Sequence, residues 1–293
     1  MQLFQFHSVS LVMKFLSTFI FLLFFQDLSI AQQSLTIKGS IIDAESNNPI
    51  PLASIGIPDI RIGTASRMDG SFLLSLSQER FKDTLQISAI GYQTQKQAIA
   101  SIKSDHNFMV HLIPKIYEME SITVTNRKQK TKWIGKKRPP LISASLGIWT
   151  HPERLGAAFA FKVNWDKRLP LKILYSRIFL KRNSNASVHI RCGIAKADPQ
   201  TGMPAHSLIP ITIDITTATQ KGWATCDFRD QNLYVDSKEF FVVFEWLTPQ
   251  EERIIPMIAT APFFNSDTFI RHHALAEWKR SSTDLVYSVQ AQY

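Results

Sequence analysis

Cysteine is almost missing from this chain: 293 residues carry two, Cys192 and Cys226. Without a second pair, a cysteine-built zinc centre is excluded, and at most one intrachain bridge can form. Acids are also scarce, 24 against 33 Lys and Arg, for a formal charge of +9. Long apolar runs are absent beyond the first thirty residues, and no Gly-x-Ser-x-Gly elbow or comparable nucleophile motif occurs. No segment shows a convincing long helical period either. What remains, 45% apolar and 19% charged residues, is the composition of an ordinary globular protein rather than a disordered or polytopic membrane one.

The N-terminus reads differently from the rest. Phe15 to Phe25 is an apolar run preceded by Lys14, too short for a bilayer core that needs about 20 residues. Ser29-Ile30-Ala31 places small residues where a signal peptidase reads, so residues 1–31 are expected to be a secretory signal, with Met13 an alternative start to Met1. The expected location is therefore outside the cytoplasm, in the periplasm or at the outer membrane or cell surface. Export permits a disulfide between Cys192 and Cys226. Each lies on the apolar side of an alternating stretch, Val188/Ile190/Cys192/Ile194 and Ala224/Cys226/Phe228; buried free thiols are the alternative.

Period-2 alternation with turn residues every eight to twelve positions marks the mature chain as all-β. Ala53/Ile55/Ile57, Phe72/Leu74/Leu76, Leu85/Ile87/Ala89 and Phe108/Val110/Leu112 each define one strand face of a first core. Asn47-Asn48-Pro49 and Asp69-Gly70 supply turns. The length suits two β-sandwich domains, 32–125 and 145–293, joined by a linker at 126–144. That linker holds Arg127, Lys128, Lys130, Lys132, Lys136, Lys137 and Arg138 with no acid, and so most of the net charge. A solvated tether is expected there, with peripheral contact to anionic lipid or polysaccharide as its functional use. Export and the lack of a basic folded face argue against nucleic acid as a partner.

The segment Gly39 to Leu76, with its Gly39–Asp43 strand, Pro51-Leu52-Ala53, Gly63-Thr64 and Asp69-Gly70-Ser71-Phe72, followed by Gly91-Tyr92, resembles the carboxypeptidase regulatory-like domain. The resemblance implies a seven-stranded prealbumin-like sandwich over residues ~35–125. Such domains are appended to enzymes, to surface proteins and to the N-termini of TonB-dependent receptors, so the resemblance implies compartment and fold but no catalytic residues. Glu120 to Thr125 is similar to the stretch preceding the receptor plug, yet the remaining chain is too short for a plug and barrel. The C-terminal half is loosely similar to jelly-roll or galactose-binding-like sandwiches, through Gly222-Trp223 and the apolar stretch Phe240 to Trp246. A strand apolar on both faces is expected to be central and covered twice. Asp284 to Ala291 reads as a last strand.

Candidate chemistry is thin. Trp278, Arg271, His272 and His273 are the weak ligand-binding candidates. His273 and Glu277 would share one side of a helix, but no third ligand accompanies them, so no metal, cofactor or catalytic set is assigned. Asp69 lacks the acids a calcium loop needs. Asp214, Asp227 and Glu245 are the main strand acids and the basis of an alternative reading as a hydrolase. Trp149, Trp165, Trp223, Trp246 and Trp278 fall in the second domain; Trp246 is expected in the core and Trp278 at the surface, where an indole can stack on a sugar. The expected function is a non-enzymatic envelope protein that binds a carbohydrate or protein ligand through its second sandwich. An accessory role in an outer-membrane complex is the other alternative.

Overall fold

Seven short strands of the first domain alternate inward and outward side chains, and their inward sets meet in one core. The computed structural model describes residues 34–58, 60, 62–102, 107–115, 129–136, 138–139, 145–147, 155–182, 188–209, 212–217, 219–247, 257–261 and 267–293. The expected signal, residues 1–31, lies outside these, as do Arg127, Lys128, Lys137, Trp149 and the 120–125 stretch. The strands are β1 (Ser34–Asp43), β2 (Ser54–Ile57), β3 (Ile62–Ala65), β4 (Ser71–Ser77), β5 (Thr84–Ser88), β6 (Gln95–Ala98) and β7 (Phe108–Leu112). They form a three-stranded sheet, β4-β1-β7, and a four-stranded sheet, β3-β2-β5-β6. Ile55, Leu74, Leu85 and Leu112 lie in the core between them, as their alternation predicts.

The polar residues of the same motif close the structure at one end. Asp43 accepts hydrogen bonds from the backbone N–H of Glu45 and Ser46, both at 2.8 Å, and from the Tyr92 hydroxyl at 2.8 Å. Those donors hold the Asp43 carboxyl at about 2, while burial and the Asp43 carboxylate push Tyr92 up to about 12. Gly70 adopts φ +76°, the conformation its turn requires. Asp69 accepts from the Ser71 backbone and hydroxyl, which makes it a turn residue.

The second domain is also a two-sheet sandwich. Its strands are β8 (Thr131–Gly135), β9 (Ser145–Gly147), β10 (Ala157–Asn164), β11 (Leu171–Arg182), β12 (Val188–Ala197), β13 (Pro204–Leu208), β14 (Ile213–Thr217), β15 (Gly222–Asp227), β16 (Tyr234–Val235), β17 (Glu239–Trp246), β18 (Met257–Ala261), β19 (Thr268–Arg271), β20 (Lys279–Arg280), β21 (Asp284–Leu285) and β22 (Tyr287–Gln292). One sheet runs β13-β12-β17-β10-β19-β20 with β14 on β12; the other runs β21-β18-β11-β22-β8, with β15 and β16 on β11 and β9 on β18. From β10 to β12 and from β17 to β19 the chain changes sheet at each step, the jelly-roll habit. As expected, β17 is central and buried on both faces: Phe240, Val242, Phe244 and Trp246 enter the main core, and Phe241 and Val243 a second cluster on the other side.

The tether is corrected in part. Thr131–Gly135 is a strand, pairing with β22 from Gln292 back to Ser288. Lys130 and Tyr293 exchange two backbone hydrogen bonds at 3.0 Å, and Lys132 reaches Asp166 at 3.6 Å. The cause lies in Trp133 and Ile134: Ile134 packs on the core, and a core-facing residue anchors the strand despite the lysines around it. Among the described residues, no helix is long and apolar enough to cross a membrane.

Candidate functional site

The two outer faces of the second sandwich have opposite fates. On the sheet containing β17, one register line carries Asp214 (β14), Arg191 (β12), Glu245 (β17), Ala158 (β10) and Arg271 (β19) side by side. Arg271 Nη2 donates to Glu245 Oε1 at 2.7 Å. Ala158 between their strands is small enough to let the two side chains meet across it. Arg191 Nη1 lies 3.6 Å from Glu245 Oε2, while its Nε and Nη2 donate to Asp214 at 3.0 and 3.5 Å. Glu245 and Arg271 are both buried, so the charges are taken out of water and matched to one another.

What covers this row is the first sandwich. Arg191 Nη1 donates to the Leu52 carbonyl at 3.2 Å, in the turn before β2. Gly56 and Gly63 face one another across the β2–β3 hairpin. A Cβ on Gly63 would fall 2.6 Å from the Ala274 carbonyl and 2.7 Å from His273 Nδ1. Backbone thus meets backbone where any side chain would hold it off. Leu35–Tyr293 is accordingly one compact unit. A cleft of about 80 Å³ remains at the junction, lined by Leu52, Ser54, Gln86, Ser88 and Tyr92 on one side and by Arg191, Glu245, Arg271 and Leu275 on the other.

The outer face of the opposite sheet carries a half-buried aromatic set. Arg177 on β11 sits 4.2 Å from the ring centres of both Trp133 and Trp223, and its Nε donates to Ser288 Oγ at 2.7 Å. Tyr175 stacks with Trp133 at 6.4 Å, Phe179 meets Trp223 edge-on at 5.2 Å, and Arg229 lies over Tyr175 at 5.0 Å. All these rings are half-buried. Burial lowers the Arg177 guanidinium from its ordinary value. The period-2 alternation of β11 and β15, with Tyr175, Arg177 and Phe179 outward and Trp223 and Thr225 beside them, puts this set on one plane.

The sequence-predicted residues separate. Arg271 and His273 are buried at the junction and His272 is exposed. Trp278, expected at the surface, is 5% exposed and lies under Arg271 at 4.9 Å; the arginine needs a cover once Glu245 draws it inward. Residues 272–278 are turn and coil, so His273 and Glu277 do not share a helix face: His273 Nδ1 contacts the Ala274 carbonyl while Glu277 is exposed. Among the described residues no group of three or more His, Cys, Asp or Glu is placed to hold a metal. Trp246 is core, as expected. Cys192 and Cys226 occupy facing sheets in the same core as free thiols. The Cys192 thiol, by hydrogen bonding, and burial push Cys226 well above its ordinary range.

Trp133 escaped the sequence reading because it lies among the tether lysines. Arg191 also escaped, though a lone charge in the apolar stretch Val188 to Ile194 is itself a signal that a partner of opposite sign must be near.

Residues 37–124 match the CarboxypepD_reg-like domain family, so the first sandwich is a carboxypeptidase regulatory-like domain. Among solved structures, the clostridial cysteine protease Cwp84 after propeptide cleavage is similar over 91% of this chain and 73% of its own, at 8% identity and TM-score 0.39. The cysteine protease and lectin-like domains of Cwp84 from Clostridium difficile align over 88% and 63%, at 8% identity and TM-score 0.37. A structure of infectious bursal disease virus, Gt strain, aligns over 88% and 62%, at 9% identity and TM-score 0.26. No curated protein sequence matches the chain.

Proposed function

We propose that this chain is a non-enzymatic, exported cell-envelope protein that binds a carbohydrate or protein ligand on the outer face of its second sandwich. The observation that carries the reading is the half-buried Trp133–Arg177–Trp223 set on the outer face of the β11 sheet. Tryptophan, tyrosine and arginine are the side chains that dominate binding hot spots. Here their mutual packing fixes the rings before a ligand arrives, which lowers the ordering cost of binding. The regulatory-like sandwich supports the export assignment by the company its family keeps, and serves here as a brace on the opposite face. Asp214, Asp227 and Glu245, the strand acids available to a hydrolase, are all engaged by arginines.

The test is an array of envelope glycans together with pull-down from envelope extract, using wild type and Trp223→Ala. Retention by wild type and its loss in the variant is expected. Hydrolysis of a model glycoside by material that retains nothing removes the reading.

A further inference from the structure

We propose that the cleft between the sandwiches binds the carboxylate of a small hydroxylated ligand, a sugar acid of the uronate type. The two arginines of the junction differ in how fully they are used. Arg191 spends its donors on Asp214, the Leu52 carbonyl and Glu245. Arg271 is 4% exposed and makes one ion pair, to Glu245, and its Nε has no hydrogen-bond partner among the described residues. A guanidinium offers five N–H donors, and buried ones are ordinarily satisfied. Arg271 therefore has spare donor capacity at the wall of a cavity.

Charge points the same way. Arg191, Arg271 and Glu245 line the cleft, whereas Asp214 does not; its side chain is 42% exposed at the outer end of the row. Over the whole row two arginines meet two carboxylates, but with Asp214 outside the cleft an entering carboxylate meets two guanidinium groups and one acid there, and can accept charge-assisted hydrogen bonds. Size limits what enters: about 80 Å³ takes only a few groups of water size, at roughly 10–15 Å³ each, enough for a carboxylate head with its ring at the mouth. Around that head the first sandwich presents Ser54, Gln86, Ser88 and Thr94, short polar groups suited to ring hydroxyls. The site is separate from the Trp133–Trp223 face, and its fate is independent of the function proposed above.

Calorimetric titration of the full chain with glucuronate, glucose and acetate tests this. Glucuronate is expected to bind at least about tenfold more tightly than either glucose or acetate. Arg271→Lys, which keeps the charge and loses the fork, is expected to weaken glucuronate at least about tenfold as well. Ser88→Phe, which fills the cleft from the first sandwich without touching the charge row, is expected to abolish binding; it decides the matter if circular dichroism shows the Arg271 variant unfolded. No heat with glucuronate means that water alone fills the cleft and overturns the proposal. Equal affinity for glucose removes the carboxylate, equal affinity for acetate removes the sugar, and unchanged binding by Ser88→Phe removes the site.

Discussion

Two arginines of the second sandwich sit beside tryptophan on opposite outer faces and do opposite work. Arg271, over Trp278, is paired with Glu245 and buried at the junction with the first sandwich. Arg177, between Trp133 and Trp223, meets two aromatic faces and a serine hydroxyl and remains half-buried. Carboxylate pairing allows a charge to be buried fully and makes the face a joint. Aromatic pairing holds a charge at the surface and makes the face available.

The sharpest way to break this comparison is to remove the shared acid. Glu245→Ala leaves Arg271 buried without its ion pair and Arg191 with one carboxylate fewer, and is expected to cost about 3–5 kcal/mol in urea unfolding. Glu245→Gln, which keeps a hydrogen-bond acceptor, is expected to lose less. A variant as stable as wild type would mean that the row is not a joint.

Much of this architecture is legible in the chain, for reasons that mark where legibility ends. The first sandwich is readable because its turns need particular residues, Gly70 at positive φ and Asp43 as acceptor for its own loop, and because its faces alternate cleanly. In the second, Phe240 to Trp246 announces a central strand, but which strands flank it is a matter of register. Asp214, Arg191, Glu245 and Arg271 stand up to 80 residues apart within one line that only pairing reveals. Trp133 was hidden for a different reason: local composition says tether, and a tertiary contact by Ile134 overrides it. The order of the sheets also decides Trp278, whose burial follows from Arg271 and not from its own neighbours in sequence.

The joint can be tested from its other side. Gly63→Ala places a Cβ 2.6 Å from the Ala274 carbonyl oxygen, a backbone atom that cannot rotate away. The expected loss is about 1–3 kcal/mol, read as a lower thermal midpoint. Faster proteolysis between residues 115 and 131 should accompany it, because the sandwiches would part. Unchanged proteolysis with a lower midpoint would place the damage inside the first sandwich.

On the open face, Arg177→Ala removes a cation held by two indoles and is expected to cost only about 0.5–2 kcal/mol. Its effect on ligand retention should be larger than on stability, since the rings lose their spacer and collapse toward one another. If stability falls as far as in Glu245→Ala while retention is untouched, the Trp133–Arg177–Trp223 set is a brace like the junction and the contrast between the faces disappears.

The smallest expected effect is a dependence on pH that originates in the first sandwich. Asp43 is held at about 2 by the Ser46 backbone, the Tyr92 hydroxyl and the Glu45 backbone, against about 4 in the unfolded chain. A carboxyl with a depressed folded value contributes stability that is present above about pH 4 and is lost as pH falls through about 2. Wild type and Asp43→Asn should therefore differ in thermal midpoint at pH 6 and converge by pH 2. Tyr92, which binds Asp43, also lines the junction cleft, so protonating Asp43 is expected to loosen one wall of the covered face and leave the Trp133–Arg177–Trp223 set unchanged. Tryptophan fluorescence separates the two: a change between pH 4 and 2 that tracks Trp278 and vanishes in Trp278→Phe belongs to the junction, whereas one that vanishes in Trp223→Phe would place the acid sensitivity on the open face.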